Sequence, residues 1–218
     1  MNALQRPVLS LPALLVLLVL LLLPSAVRAQ TTISINAGVS FASLQGDDVP
    51  TPFGTRTGLV AGAHLGIPVG AIFSVAPGLY YAQKGADIET SLGTGAFRLD
   101  YIEVPVLGVF MVTAPQRPVG ISLFLGPSFA FEVGCELEGT VAGVTTTADC
   151  DDDSDRRTFD LGAIFGAGLS FPVTERMALA LNGGLDFGLR SLDGSTSNDD
   201  IKNEMWFLMA GLSFPLGR

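Results

Sequence analysis

From Thr158 to Phe171 the chain alternates with a period of two. Phe159, Leu161, Ala163, Phe165, Ala167, Leu169 and Phe171 share one face, while Asp160, Gly162, Ile164, Gly166, Gly168 and Ser170 share the other. Strict alternation of this kind predicts a β-strand. In a water-soluble sheet the polar face would carry Lys, Glu and Thr into solvent. Here the second face is mostly glycine and small polar residues, which suit a cramped interior and cannot form a solvated exterior. The bulky face is therefore expected to meet lipid, as in a membrane-spanning strand.

Seven further segments repeat the pattern. Ile33 to Phe41 alternates Ile33, Ile35, Ala37, Val39 and Phe41 with Ser34, Asn36, Gly38 and Ser40, and Gly58 to Ile67 opposes Leu59, Ala61, Ala63, Leu65 and Ile67 to a face that includes His64. A third strand is expected from Ala71 to Gln83, a fourth from Phe97 to Val112 and a fifth from Gly120 to Glu132. The seventh is Met177 to Arg190, and the last carries Trp206, Leu208, Ala210, Leu212 and Phe214 on one side. Pro68 to Gly70, Thr113 to Pro118 and Pro172 to Arg176 make short connections. Longer polar stretches lie near Leu44 to Arg56, Lys84 to Ala96, Val133 to Arg157 and Ser191 to Lys202. Short turns alternating with longer loops, on an even strand number, predict an all-β, eight-stranded antiparallel up-and-down transmembrane barrel. Bilayer hydrocarbon offers no water to a sheet edge, so the sheet must close. Pro77, Pro105 and Pro127 fall inside strands and are expected to mark bulges. A soluble lipocalin-like binder in the periplasm is the alternative fold, but it would turn the bulky faces inward and leave Gly, Ser and Ala outside.

The first 29 residues read as a secretory signal peptide. An apolar run from Ala13 to Leu23 is followed by Val27-Arg28-Ala29, so residues 30–218 form the expected barrel domain. Removing Arg6 and Arg28 leaves 10 of the 12 basic residues against 21 acidic ones, a net charge of −11. Such acidity argues against nucleic acid as a partner. Outer-membrane lipid, the outer-membrane assembly machinery and an extracellular ligand are the partners expected, for a monomer in the cell outer membrane.

Several segments resemble the PorT-like outer-membrane β-barrel family of Bacteroidota-type bacteria. They are Tyr80-Tyr81-Ala82-Gln83-Lys84-Gly85, Tyr101-Ile102-Glu103-Val104-Pro105-Val106-Leu107, Gly126-Pro127-Ser128-Phe129 and Asp160-Leu161-Gly162. The resemblance also implies that Trp206, Leu208, Ala210, Leu212 and Phe214 act as an assembly signal, although Pro215 to Arg218 follow the terminal aromatic. It implies a scaffold rather than an activity, since fold does not imply function.

Glu103, Glu132, Asp160 and Asp186 share the lumen parity, with Arg190 and His64 as the partners expected for a polar lumen cluster. Buried charges persist when paired, so a salt-bridged plug is the expected reading. His64 is the only histidine. Catalysis is not expected, because a hydrolase needs its base beside a nucleophile and an orienting acid, and no cofactor is implied. Cys135 and Cys150 predict a disulfide in an exported chain, across a hairpin centred on Ala142-Gly143 with a bulge below it. Asp149, Asp151, Asp152, Asp153 and Asp155 offer hard oxygen ligands for calcium. They lack the spacing of a dedicated loop, so a solvated acidic surface is expected instead. The function expected is structural or surface-interacting, through acidic extracellular loops. The alternative is a porin-like conduit for ions or small solutes.

Overall fold

The computed structural model describes residues 30–46, 53–90, 93–113, 118–150, 158–190 and 201–217. The expected leader at residues 1–29 lies outside them, as do Asp151, Asp152, Asp153 and Asp155. The described residues form strands β1 (Thr32–Gln45), β2 (Phe53–Pro68), β3 (Phe73–Thr90), β4 (Gly93–Met111), β5 (Gly120–Val141), β6 (Val144–Asp149), β7 (Phe159–Thr174), β8 (Met177–Gly188) and β9 (Lys202–Pro215). Eight of them close a barrel in which each strand pairs antiparallel with its neighbours in sequence order. β9 pairs with β1, and β5 pairs with both β4 and β7. β6 is not part of the wall; it pairs with the upper part of β5 alone.

The bulky faces point outward. Ile35, Leu79, Leu123, Leu125, Phe165, Trp206 and Leu208 are each more than half exposed, which is tolerable only where the surroundings are hydrocarbon. This orientation sets the lipocalin-like alternative aside. The five residues of the expected assembly signal lie on β9, where Phe214 pairs with Ile33 and Trp206 with Phe41 to close the wall.

Inside, side chains from all around the wall pack into the lumen. Tyr80, Phe124, Ile164, Met205, Phe207 and Met209 pack into one buried cluster. Leu99, Tyr101 and Ala130 form a second one above it, against which Leu44, Phe97, Cys135 and Ile201 pack. Inward glycines make room for the rings: a Cβ at Gly184 would come within 2.8 Å of Phe207 Cζ. Eight strands enclose a space that side chains can largely fill, and here they do so except for a cavity beside the first cluster.

Two expectations about the strands are overturned. Among the described residues, the stretches read as loops at Lys84 to Ala96 and Val133 to Arg157 are largely strand, because β3, β4 and β5 run for 18, 19 and 22 residues. A tilted crossing needs only about 9 to 11. Above the membrane a sheet has water on both sides, so its residues no longer alternate apolar with small, and composition reads as loop. The prolines also do not bulge their strands. Pro127 pairs with Ala163 in unbroken register, and the pairs flanking Pro77 and Pro105 keep their registers as well. Proline there removes local ladder pairing without adding a residue. The bulges lie elsewhere: between Thr55 and Val60 of β2, at Val133 of β5, and beside Pro172 of β7.

Candidate functional site

The middle of the lumen is built around a lysine that alternation in the sequence assigns to a loop. Lys84 continues β3 beyond Gln83 on the same face as Tyr80 and Ala82, and so turns inward. Its Nζ lies 2.6 Å from Glu103 Oε1 on β4 and 2.6 Å from Asp186 Oδ2 on β8. All three side chains are at most 3% exposed. The ammonium also stands 5.4 Å from the centroid of the Tyr101 ring. Buried charges are tolerated when paired and hydrogen-bonded, and Lys84 is the ion that makes two buried carboxylates tolerable.

Local irregularity of the wall positions this lysine. From Thr55 to Val60 on β2 the partner on β3 moves only from Ala86 to Ala82, so β2 carries one extra residue and the ladder opens beside Lys84. Side chains repair the gap. Arg56 Nη1 donates to the Lys84 carbonyl at 2.7 Å, Ser40 Oγ donates to the Gln83 carbonyl at 2.8 Å, and Leu59 N donates to Gln83 Oε1 at 3.1 Å. Gly85 follows with φ of 113°, a conformation that L side chains rarely adopt. The glycine of the Tyr80-to-Gly85 segment thus lets β3 turn next to the buried lysine.

Two hydrogen-bonded networks flank the ion cluster. Above it, Asn203 Nδ2 donates to Tyr101 Oη and Asp160 Oδ2, each at 3.4 Å. Below it, Tyr80 Oη lies 2.7 Å from His64 Nδ1 and accepts from Asn36 Nδ2 at 3.3 Å, and Asn182 Nδ2 donates to Asn36 Oδ1 at 3.2 Å. Read up β4, the inward residues are Val109, Leu107 and Pro105 beside an apolar cavity, then Glu103, then Tyr101 and Leu99 in the upper cluster.

Of the residues expected in the lumen cluster, Glu103, Asp160 and Asp186 are there, each at most 3% exposed. His64 is inward but belongs to the lower network. Glu132, half-buried, stands opposite Tyr101 on β5. Arg190 is a correction. It is exposed past the end of β8, with its guanidinium 5.7 Å from the Phe159 ring centroid. β8 ends at Gly188, so the alternation that placed Arg190 inward no longer applies. Continuing the parity of β3 by one residue past Gln83 would have found Lys84.

Outside the wall, β3, β4, β5 and β6 form a projecting sheet. Cys135 and Cys150 are joined by a disulfide, with Cα atoms 5.5 Å apart. Val141 faces Val144 across a tight turn in which Ala142 and Gly143 both have positive φ, 52° and 81°. Such turns match the twist of the flanking strands. The expected bulge below the hairpin is Val133, skipped between the Asp100–Gly134 and Tyr101–Glu132 pairs. On one face Arg98 pairs with Glu136 and, closely, with Glu138. All of β6 is exposed, including Asp149.

Comparison with known proteins agrees with this architecture. The chain superposes on a major outer membrane protein from Thermus thermophilus with a TM-score of 0.50 at 14% identity, covering 86% of this chain and 100% of that one. Similarity extends to the outer membrane protein OprG from Pseudomonas aeruginosa, with a TM-score of 0.49, 10% identity and coverage of 87% and 97%. It extends also to Ail, the attachment invasion locus protein of Yersinia pestis, with a TM-score of 0.43, 17% identity and coverage of 85% and 100%. At such identities the likeness is one of fold. No curated protein matches the sequence. Residues 28–194 match the model of the outer membrane protein beta-barrel domain, and the chain belongs to that family.

Proposed function

We propose that this barrel is a non-enzymatic, non-conducting scaffold that acts at the cell surface through the sheet it projects. The observation that carries the reading is the contrast in strand length. β8 has 12 residues and β5 has 22, and the surplus is continued by the β5–β6 hairpin and pinned by Cys135–Cys150. The surplus corresponds to roughly 30 Å of extended chain. Structure of this kind is not needed to cross a bilayer. Loops and extensions held on a rigid scaffold are where binding residues concentrate.

The lumen supports the same reading. Lys84, Glu103 and Asp186 tie β3, β4 and β8 together across the interior, and an aliphatic and aromatic layer lies above them. A porin-like conduit would need that layer and the ion cluster to part. The finer kinship with the PorT-like group is part of the proposal. The segments that carry the resemblance contain Tyr80, Lys84, Tyr101, Glu103 and Asp160, which build the lumen networks.

The test is a comparison of two proteins displayed on the same cells, the full chain and a variant in which residues 136–149 are replaced by a short Gly-Ser turn. Both should fold as barrels, as judged by heat-modifiable gel mobility. On glycan and extracellular-protein arrays, binding seen for the full chain should be lost from the variant. Equal binding by the two would contradict the reading.

A further inference from the structure

We infer that the lower lumen is a binding site for a small, neutral, apolar molecule of about one aromatic ring, which enters from the lipid between β2 and β3 at Pro77–Gly78. The lumen holds a cavity of about 130 Å³. Its walls are mainly apolar, with Leu107, Phe124, Ile164, Met205, Phe207 and Met209 prominent among them. The volume is close to the roughly 150 Å³ of an engineered apolar cavity that stays dry and binds benzene. His64, Tyr80, Glu103, Ser122 and Asn182 also border it, but the aliphatic and aromatic side chains make up most of the wall, and a small apolar molecule gains dispersion contacts along them.

The route follows from a weak seam. Between the pairs His64–Gly78 and Ile67–Val75 no ladder pair forms. Pro77 has no N–H to offer, and what fills the space beside Gly78 is a side chain, the Tyr80 ring, whose Cε2 lies 2.8 Å from where a Cβ would stand. A lipid-side groove lies over this seam, lined by Ile33, Leu65, Pro77, Gly78, Leu79 and His64. Leu65 and Leu79 are 37% and 58% exposed, so the groove faces hydrocarbon. His64 also lines the lumen cavity, together with Tyr80 and Ala76. His64, its Nδ1 2.7 Å from Tyr80 Oη, therefore borders both the groove and the cavity. A second unpaired stretch, where Val106 and Leu107 of β4 oppose Gly126 and Pro127 of β5, is closed, because a Cβ at Gly126 would collide with the backbone of Val106 and Leu107. Glu103 roofs the cavity with the Lys84 cluster. Entry through the wall avoids that cluster and leaves the lumen closed to ions.

The methionines provide the readout. Met205 and Met209 line the cavity, whereas Met111 and Met177 stand at the ends of β4 and β8. The full chain, labelled with ¹³C at the methionine methyls and refolded in deuterated detergent, is titrated with benzene. Saturable shifts of Met205 and Met209, with Met111 and Met177 unmoved, are expected, and they should vanish in A76F, which fills the cavity. V109F fills it from β4 if A76F does not fold. Closing the seam with G78V, or with L79W if G78V does not fold, should move benzene from fast to slow exchange. No saturable shift, or equal shifts at all methionines, would overturn the site. Unchanged exchange in a folded seam variant would overturn the lateral route. Contacts from detergent methylenes to Met205 and Met209 that benzene does not displace would mean that a chain end fills the cavity, and would overturn the assignment to a free small molecule.

Discussion

Lys84 and Asp186 meet at 2.6 Å from strands on opposite sides of the barrel, β3 and β8, and Glu103 of β4 closes the triad from beside Lys84. The contact ties the two walls across the lumen at the level where the projecting sheet begins. Removing the ammonium should expose the cost of that arrangement. K84A leaves two buried carboxylates without their cation and should destabilise the barrel by about 3–5 kcal/mol. The triple variant K84M/E103L/D186L should recover most of that loss, because apolar replacement of a whole buried cluster is often neutral or stabilising. Urea unfolding of protein refolded into liposomes reads both values. An unchanged midpoint for K84A would show that the cluster does not hold the walls.

The backbone beside that lysine gives a second prediction. Gly85 has φ of 113°. G85A should lower stability by about 1–3 kcal/mol, the usual cost of a residue held in a sparsely populated region. The same urea transition measures it, and a neutral result would mean that β3 does not need the turn.

How far the sequence disclosed this site is clearest at Gln83 and Lys84. Up to Gln83 the alternation of Leu79 and Tyr81 with Tyr80 and Ala82 is legible, because lipid on one side and a packed lumen on the other impose it. After Lys84 the residues are Gly, Ala, Asp, Ile, Glu and Thr, and strand and loop look alike in composition. The eight crossings, their outward faces and the inward carboxyls Glu103, Asp160 and Asp186 were therefore readable. The upper strands, the cation at Lys84 and the displacement of Arg190 were not, since each depends on where a strand ends or on a bulge in its neighbour. The hairpin at Ala142-Gly143 was readable because its turn and cysteine spacing act locally.

The disulfide should matter to the projecting sheet and little to the barrel. Closing a loop of 15 residues restricts the unfolded chain by about 3 kcal/mol in the entropy model. β6 pairs only with β5, so the effect should stay local. C135S/C150S should keep its heat-modifiable mobility and become sensitive to a glutamate-specific protease at Glu136 and Glu138. Loss of the folded barrel band would contradict this.

Trp206 is the chain's only tryptophan and is 55% exposed on the outward face of β9. In liposomes its emission should be blue-shifted and quenched by lipids brominated on their acyl chains. Emission typical of water, with no quenching, would place this face away from lipid.

On the proposed reading, the barrel's lumen is closed and its work is done above the membrane. Single-protein recordings in planar bilayers decide this. The wild-type chain should give no sustained, reproducible conductance steps at moderate voltage, because Lys84, Glu103 and Asp186 and the layer at Leu99 and Tyr101 fill the path. Stable, ion-selective channels of uniform size from the folded protein would contradict it.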